Sequence, residues 1–297
     1  MTNPEASNQE LTKLIGSIDI PACPEQLAAV MVEAQKDLPD LQTLSKLISA
    51  DVGMSAAAIK LANSPLYRPA RRLDSVPQAV THLGTRNIVC IAISVALKSH
   101  LSQGLPQKWL EDFWRRAGHS ALGAGLLAKS LRGTSPDAAY TYALFHDAAM
   151  PLMLRRFPDY LTTLAEADEA GLDRVVMENR RHGCSHALVG ALLGRNWGMP
   201  RELIAATRAH HDSEALISAR EDMQGLSPTL IAIGHVAEDL VDQLYGEQTV
   251  AGKHTAETSA IYLELEPHDL LEVREALEVA IEEREPFLQR QTFNQSH

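Results

Sequence analysis

TRNIVCIAISVALKSH, residues 85–100, holds a nearly unbroken apolar run from Ile88 to Leu97. Thr85 can cap its start, because a threonine hydroxyl accepts from the free N–H groups of a first helical turn. Such a run reads as a helix buried in a protein core. It is about half the length that crosses a bilayer. Just upstream, Ser75 and Pro77 mark the start of a short helix that Gly84 ends, since proline suits a first turn and glycine the residue after a last one.

The same periodicity extends in both directions. Upstream, Leu27, Val30, Met31 and Ala34 follow Pro24 and Glu25 at helical spacing. Asp40 is placed to cap a helix with Leu41, Leu44, Leu47 and Ile48 on one face, and a further helix, Met54 to Ala62, stops at Asn63-Ser64-Pro65. Downstream, helices are predicted over 109–131, 136–146, 160–170, 185–197, 229–245 and 267–283, with another entering through Pro151 and one starting at Pro200. No alternation of period two appears, so the fold class is all-α. Ser102, Gly104 and Pro106 separate an N-terminal helical lobe, 11–105, from a second helical lobe, 106–297, while residues 1–10 are read as loosely attached.

Composition narrows the function classes. Hydrophobic residues make up 45% of the 297, charged residues 22% and aromatics 5%, ordinary globular values that favour helix over strand. A formal charge of −11 argues against broad binding to nucleic acid or an anionic membrane. Cys23, Cys90 and Cys184 are widely spaced without a CxxC pair, which fits a reducing compartment rather than a disulfide framework. Met1 to Gln9 contains no apolar signal core. The expected location is the cytoplasm.

The 12 histidines carry the chemistry. His146 and Asp147 are adjacent, and at a helix end both side chains can reach one ion. Nitrogen and carboxylate oxygen together suit zinc, iron, manganese or nickel. His119 lies on the side of its helix that carries Leu122, Gly123 and Leu126, and Gly118, Ala121 and Gly123 would let that helix pack closely. His186 shares a face with Val189, Leu193 and Trp197. His210 and His211 follow Leu203 and Ile204 by seven residues each. Any one of these reads more simply as a core histidine donating to a carbonyl; several in one lobe weaken that reading.

Their order, His, His-Asp, His, His-His, resembles that of HD-type phosphohydrolases. In the first lobe, Ile48-Ser49-Ala50-Asp51, Lys60 to Tyr67, Ser75 to Val80 and Leu83-Gly84 resemble the N-terminal signature of the HDOD family. Glu178, Gly183, His186, Gly190, Leu193, Trp197, Pro200, His210 and His211 follow the same family's pattern in the second. The resemblance spans about residues 15–245. It implies an all-helical protein with an HD-like second lobe, serving as a bacterial signalling or scaffold module in which catalysis is not the rule. The metal ligands it implies are His119, His146, Asp147 and, in the place usually held by an aspartate, His235. His186, His210 and His211 would form a second metal or phosphate pocket. One or two ions of iron, zinc, manganese or nickel are expected, the alternative being a metal-free hydrogen-bond network.

Three departures bear on activity. His235 in place of aspartate leaves one anionic ligand in that set. Ala148-Ala149-Met150 lacks the glycine that usually follows His-Asp. Asp212, Ser213 and Glu214 replace the Gly-Tyr-Pro of the cyclic-di-GMP phosphodiesterases. The first expectation is therefore a signalling module that binds partner proteins, through Leu66, Tyr67, Arg68 and Arg71; homo-oligomerisation is left open. The second is a metal-dependent phosphohydrolase acting on a nucleotide or other phosphoester, with Asp147 catalytic, and a ligand-sensing metal module is the third. Arg115, Arg116, Arg180, Arg181 and Arg208 could meet a phosphate but read more simply as solvated helix faces.

Overall fold

The computed structural model describes residues 16–63, 67, 69–212, 216 and 225–282, and no strand occurs among them. The first lobe comprises α1 (Glu25–Ala34), α2 (Leu41–Ser49), α3 (Val52–Ala62) and α4 (Val76–Leu101). Asp40 caps α2 by accepting from the N–H groups of Gln42 and Thr43 at 3.0 and 3.1 Å. Asp51 caps α3 through Met54 N–H at 2.7 Å. α4 is the hub against which α1, α2 and α3 pack. It is continuous as a helix except at Gly84, whose φ of 75° breaks it into the two pieces expected from the sequence; only glycine adopts that backbone without strain. By length and composition α4 could cross a membrane, but it is the core helix here, with Ile88, Ala92 and Leu97 fully buried.

Asn63 ends α3 and ties it to the chain ahead of α4. Its amide donates to the Ile59 and Leu73 carbonyls at 2.8 and 2.7 Å, and its oxygen accepts from Leu73 N–H at 2.8 Å. One side chain thus closes the chain from 63 to 73. Tyr67 is half-buried against the core, and its hydroxyl bonds to Asn87. Tyr67 therefore packs this segment down. Arg71 is exposed, while Leu66 and Arg68 lie outside the described residues.

The second lobe is built on α5 (Gln107–Ser130) and α6 (Pro136–Phe145), followed by α7 (Met150–Arg156), α8 (Tyr160–Ala170), α9 (Arg174–His182), α10 (His186–Asn196), α11 (Arg201–Ala209), α12 (Ser227–Tyr245), α13 (Val250–Tyr262) and α14 (Pro267–Glu282). α12 crosses both α5 and α6. Gly123 permits this approach, since a Cβ there would stand 3.3 Å from Leu277 and 3.5 Å from Ala237; Gly118, expected to do the same, faces open space.

Residues 102–106 connect α4 to α5. One hydrophobic cluster runs through both lobes. Cys90 of α4 approaches Thr141 Oγ1 of α6 at 3.1 Å. Asn196 and the Trp197 indole both donate to the Pro21 carbonyl at 3.0 Å, which straps the segment before α1 onto the second lobe. α9 and α13 are helices that the apolar pattern does not announce. The residues α9 buries are Glu178 and His182, and those of α13 are Ala256, Ser259 and Ala260.

Candidate metal centre

Four helix ends and one helix face converge in the second lobe. His146 follows α6 as its C-cap, and Asp147 occupies the turn before α7. Ser185 caps α10 by accepting from Leu188 N–H at 3.4 Å, which makes His186 the first helical residue. His210 is the C-cap of α11, His211 follows it, and Glu238 projects from the middle of α12.

Each histidine is held by Nδ1. His146 Nδ1 lies 3.0 Å from the Ala143 carbonyl and His210 Nδ1 2.8 Å from that of Thr207. His186 Nδ1 lies 2.8 Å from both oxygens of Glu178, and His211 Nδ1 2.6 Å from Asp173 Oδ2. These partners only accept, so each Nδ1 carries the proton. In a neutral imidazole that leaves the lone pair on Nε2, the arrangement that orients metal-binding histidines.

The Nε2 atoms gather on Asp147. Its Oδ1 is 3.1 Å from His186 Nε2 and 3.4 Å from His210 Nε2, and those two nitrogens are 3.2 Å apart. Ligand atoms on a tetrahedral ion with bonds of 2.0–2.1 Å stand roughly 3.4 Å from one another, so this triangle already has the required spacing. Asp147 Oδ1 is buried and receives no hydrogen bond of acceptable geometry. A cation is the natural partner for a buried carboxylate oxygen facing two lone pairs. The other oxygen, Oδ2, is 3.7 Å from His146 Nε2, which lies 2.7 Å from Glu238 Oε1. Two groups of ligands follow, Asp147, His186, His210 and His211, and His146, Asp147 and Glu238, each with its ligand atoms within 4.8 Å of one another. Asp147 belongs to both.

Charge tells the same story. Burial opposes the protonated form of His146, but the Asp147 and Glu238 carboxylates outweigh it and hold the group up at about 9. His186 is raised to about 10 against the same burial, by Asp147 and Glu178. Burial also opposes ionisation of Glu238, yet His146 brings it down to about 2, and His146 and His186 hold Asp147 well below the carboxylate range. Burial and the neighbouring His211 press His210 down to about 3. The carboxylates thus demand positive charge, which either protons on His146 and His186 or metal ions can supply. The donor set fits the borderline ions. The His186 and His210 side chains are sealed at 1% and 5% exposed, whereas those of Asp147, His211 and Glu238 are 24%, 27% and 38% exposed.

His119 and His235 stand outside both groups. His119 Nδ1 bonds to the Tyr245 hydroxyl at 2.9 Å, and Tyr245 lies two turns beyond Glu238 on α12. Both ring nitrogens of His235 are engaged, Nε2 with the His210 carbonyl at 2.7 Å and Nδ1 with Ser259 Oγ at 3.0 Å. It braces the backbone that carries His210. The expected quartet of His119, His146, Asp147 and His235 is therefore not assembled. The residues expected to form a second pocket are the ones that meet Asp147. Glu238, unremarked in the sequence, supplies a second carboxylate three residues after His235; one turn of helix was the signal available. Among the arginines, Arg115 pairs with Asp112 and Arg181 with Asp159 and Glu166 on helix surfaces, while Arg116 reaches across to Asp242 and Glu247.

Similar proteins give the same architecture. A structure from Shewanella amazonensis SB2B, provisionally named a phosphohydrolase, superposes with a TM-score of 0.69 at 21% identity, over 94% of this chain and 96% of that one. An HDOD domain protein of unknown function from Geobacter sulfurreducens gives 0.68 at 19% identity, over 94% and 99%. These identities establish a shared fold. An uncharacterized protein of Treponema pallidum (strain Nichols) is 28% identical over 211 residues, which is 68% of this chain and 40% of the relative's own length. The sequence profile of the HDOD domain matches residues 20–213. With the signature segments, the His-Asp turn, His186, His210 and His211 all inside that match, the chain belongs to the HDOD domain family.

Proposed function

We propose that this chain is a signal-transduction module of the HDOD type that acts through contacts with partner proteins and carries a transition-metal centre in its second lobe. One observation supports the metal: four imidazoles, each anchored at Nδ1, surround the two oxygens of Asp147. Support for signalling comes from the family and from a relative of the same fold in Marinobacter aquaeolei VT8, named for signal transduction, with a TM-score of 0.70 at 21% identity. This chain spans 65% of that protein.

A second reading, a metal-dependent phosphohydrolase, draws on Asp147 and Glu238. Two carboxylates, one shared between two ligand groups, give the centre more negative charge than the His119–His235 set would have offered. His186, His210 and His211 would hold one ion with Asp147 Oδ1, and His146 and Glu238 a second with Oδ2. Ions bound there would supply Lewis acidity toward a phosphoryl oxygen and acidify a coordinated water. The chain's own part is to fix the ligands by Nδ1 and to leave the carboxylate side open to a substrate.

Elemental analysis of the purified chain and its His186→Ala and Asp147→Asn variants, with a phosphoester panel on the metal-loaded protein, tests both readings. Stoichiometric metal in the native chain, lost in both folded variants and without turnover, is the expected result. Turnover that disappears with the metal would install the second reading. A native chain that takes up no metal after reconstitution would refute the centre.

A further inference from the structure

Behind His186 lies a second layer of buried polar groups. Glu178 of α9 is fully buried, and its carboxylate accepts from three donors. The His186 N–H reaches Oε2 at 2.9 Å, the His186 Nδ1–H lies 2.8 Å from both oxygens, and the Tyr160 hydroxyl reaches Oε1 at 2.5 Å. Tyr160, the first residue of α8, is also fully buried. A carboxylate in such surroundings keeps its orientation only while each oxygen is satisfied. Oε2 has the backbone N–H of His186. Oε1 shares the ring N–H and otherwise has the tyrosine.

We propose that Tyr160 is a positioning residue for the metal centre. Its hydroxyl holds Glu178 in the orientation that keeps the proton of His186 on Nδ1, and so keeps the lone pair of Nε2 directed at Asp147 and His210. This rests on the reading of the His/Asp/Glu cluster as a metal centre. The path, Tyr160 to Glu178 to His186 to Asp147, joins α8, which carries no ligand, to the ligands of α10 and the α6–α7 turn. Next to it, α8 and α9 are also joined by Thr163 Oγ1 and His182 Nε2 at 2.9 Å, a bond that does not touch Glu178. That neighbour provides the control, because it tests whether α8–α9 packing alone would account for any effect.

The experiment is a Co²⁺ titration of the full chain, followed by the ligand-field absorption of the bound ion and by competition with a chelator. The variants are Tyr160→Phe, which deletes one oxygen and keeps the ring, and Thr163→Val. Outer partners of metal-bound histidines govern affinity by about 10–100-fold. Tyr160→Phe is expected near the lower end, with about 10-fold weaker Co²⁺ binding and a changed absorption envelope, while Thr163→Val keeps native affinity and spectrum. Glu178→Gln, which preserves volume, is expected near the upper end and carries the same test should Tyr160→Phe fail to fold. Native binding with Tyr160→Phe within twofold of it and spectrally unchanged would overturn the role of Tyr160 and leave the centre standing. An equal loss in Thr163→Val would reduce the effect to packing and overturn it too. No Co²⁺ uptake by the native chain would overturn the centre and this proposal together.

Discussion

Gly234 offers the sharpest test of how the centre is packed. It lies on α12 where that helix crosses α6, and a Cβ added there would stand 2.8 Å from Cε1 of Tyr142. Carbon atoms settle at about 3.5–4.0 Å, so Gly234→Ala forces an overlap of roughly 0.7 Å or more. Tyr142 is 1% exposed and its ring centroid lies 5.5 Å from that of His146, so it has no free space to retreat into. Alanine gains about 1 kcal/mol over glycine in a helix interior, whereas overpacking a filled core costs about 1–3 kcal/mol. An overlap this large against a ring that cannot move puts the cost in the upper part of that range, about 2–3 kcal/mol, so the overlap should win by about 1–2 kcal/mol. At about 2–4 °C per kcal/mol for a chain of this size, Tm should fall by about 2–8 °C. Gly118→Ala is the matched control, since nothing lies within 4 Å of its Cβ position; with only the propensity gain of about 1 kcal/mol acting, its Tm should rise slightly. Melts followed by circular dichroism in chelator keep metal linkage out of the comparison. A Gly234→Ala protein as stable as the native one would refute the packing argument, and with it the claim that Tyr142 is wedged against His146.

The remaining predictions concern other parts of the molecule. Burial pushes the Cys90 thiol up to about 12 and that of Cys184 to about 11, so in native protein at pH 8 iodoacetamide should label Cys23 well before either; mass spectrometry showing Cys90 modified first would contradict the buried assignment. Burial, only partly countered by Arg116, raises Asp242 to about 6. A carboxyl whose folded pKa exceeds its unfolded value of about 4 loses stability as pH rises between the two. The stability of the native chain relative to Asp242→Asn should accordingly decline from pH 4 to pH 7 in denaturant titrations, and a rising difference would refute the sign. Asn63→Ala removes the side chain that bonds Leu73 at both its N–H and its carbonyl; at about 1 kcal/mol per bond it should cost about 2–3 kcal/mol in urea unfolding, and a cost below 0.5 kcal/mol would show that the clamp is idle.

Some of this was legible in the residues themselves. Asp40 caps α2 as its place before an apolar stripe required, and Gly84 interrupts α4 where glycine followed Leu83. Tyr160–Ala170 and Pro267–Glu282 fell within a residue of their predicted ends, because each presents either an apolar face or a proline start. α9 was not legible, and the reason is physical. Hydrophobic periodicity detects helices that bury apolar surface, whereas the residues α9 buries are Glu178 and His182. The helix that supports the His/Asp/Glu cluster from behind is therefore the kind that such reading overlooks.

The amino-acid sequence alone determined that the chain is helical, that it falls into an HDOD pattern, that His146 and Asp147 stand at a helix end, and that His186, His210 and His211 tend toward the inward faces of their helices. Local rules suffice for these, since caps, prolines, glycines and the spacing of apolar residues act within a few positions. Only the tertiary structure decided which of the histidines meet. It took His119 to Tyr245 and His235 to a carbonyl and a serine, and it brought Glu238 to His146 across 92 positions of chain. Helical periodicity assigns a residue to a face within about a quarter turn, but neither the roll of one helix against the next nor which residue of the face lies level with Asp147. Those depend on how α6, α10, α11 and α12 pack, and a shift of one turn, 5.4 Å, exchanges one ligand for another.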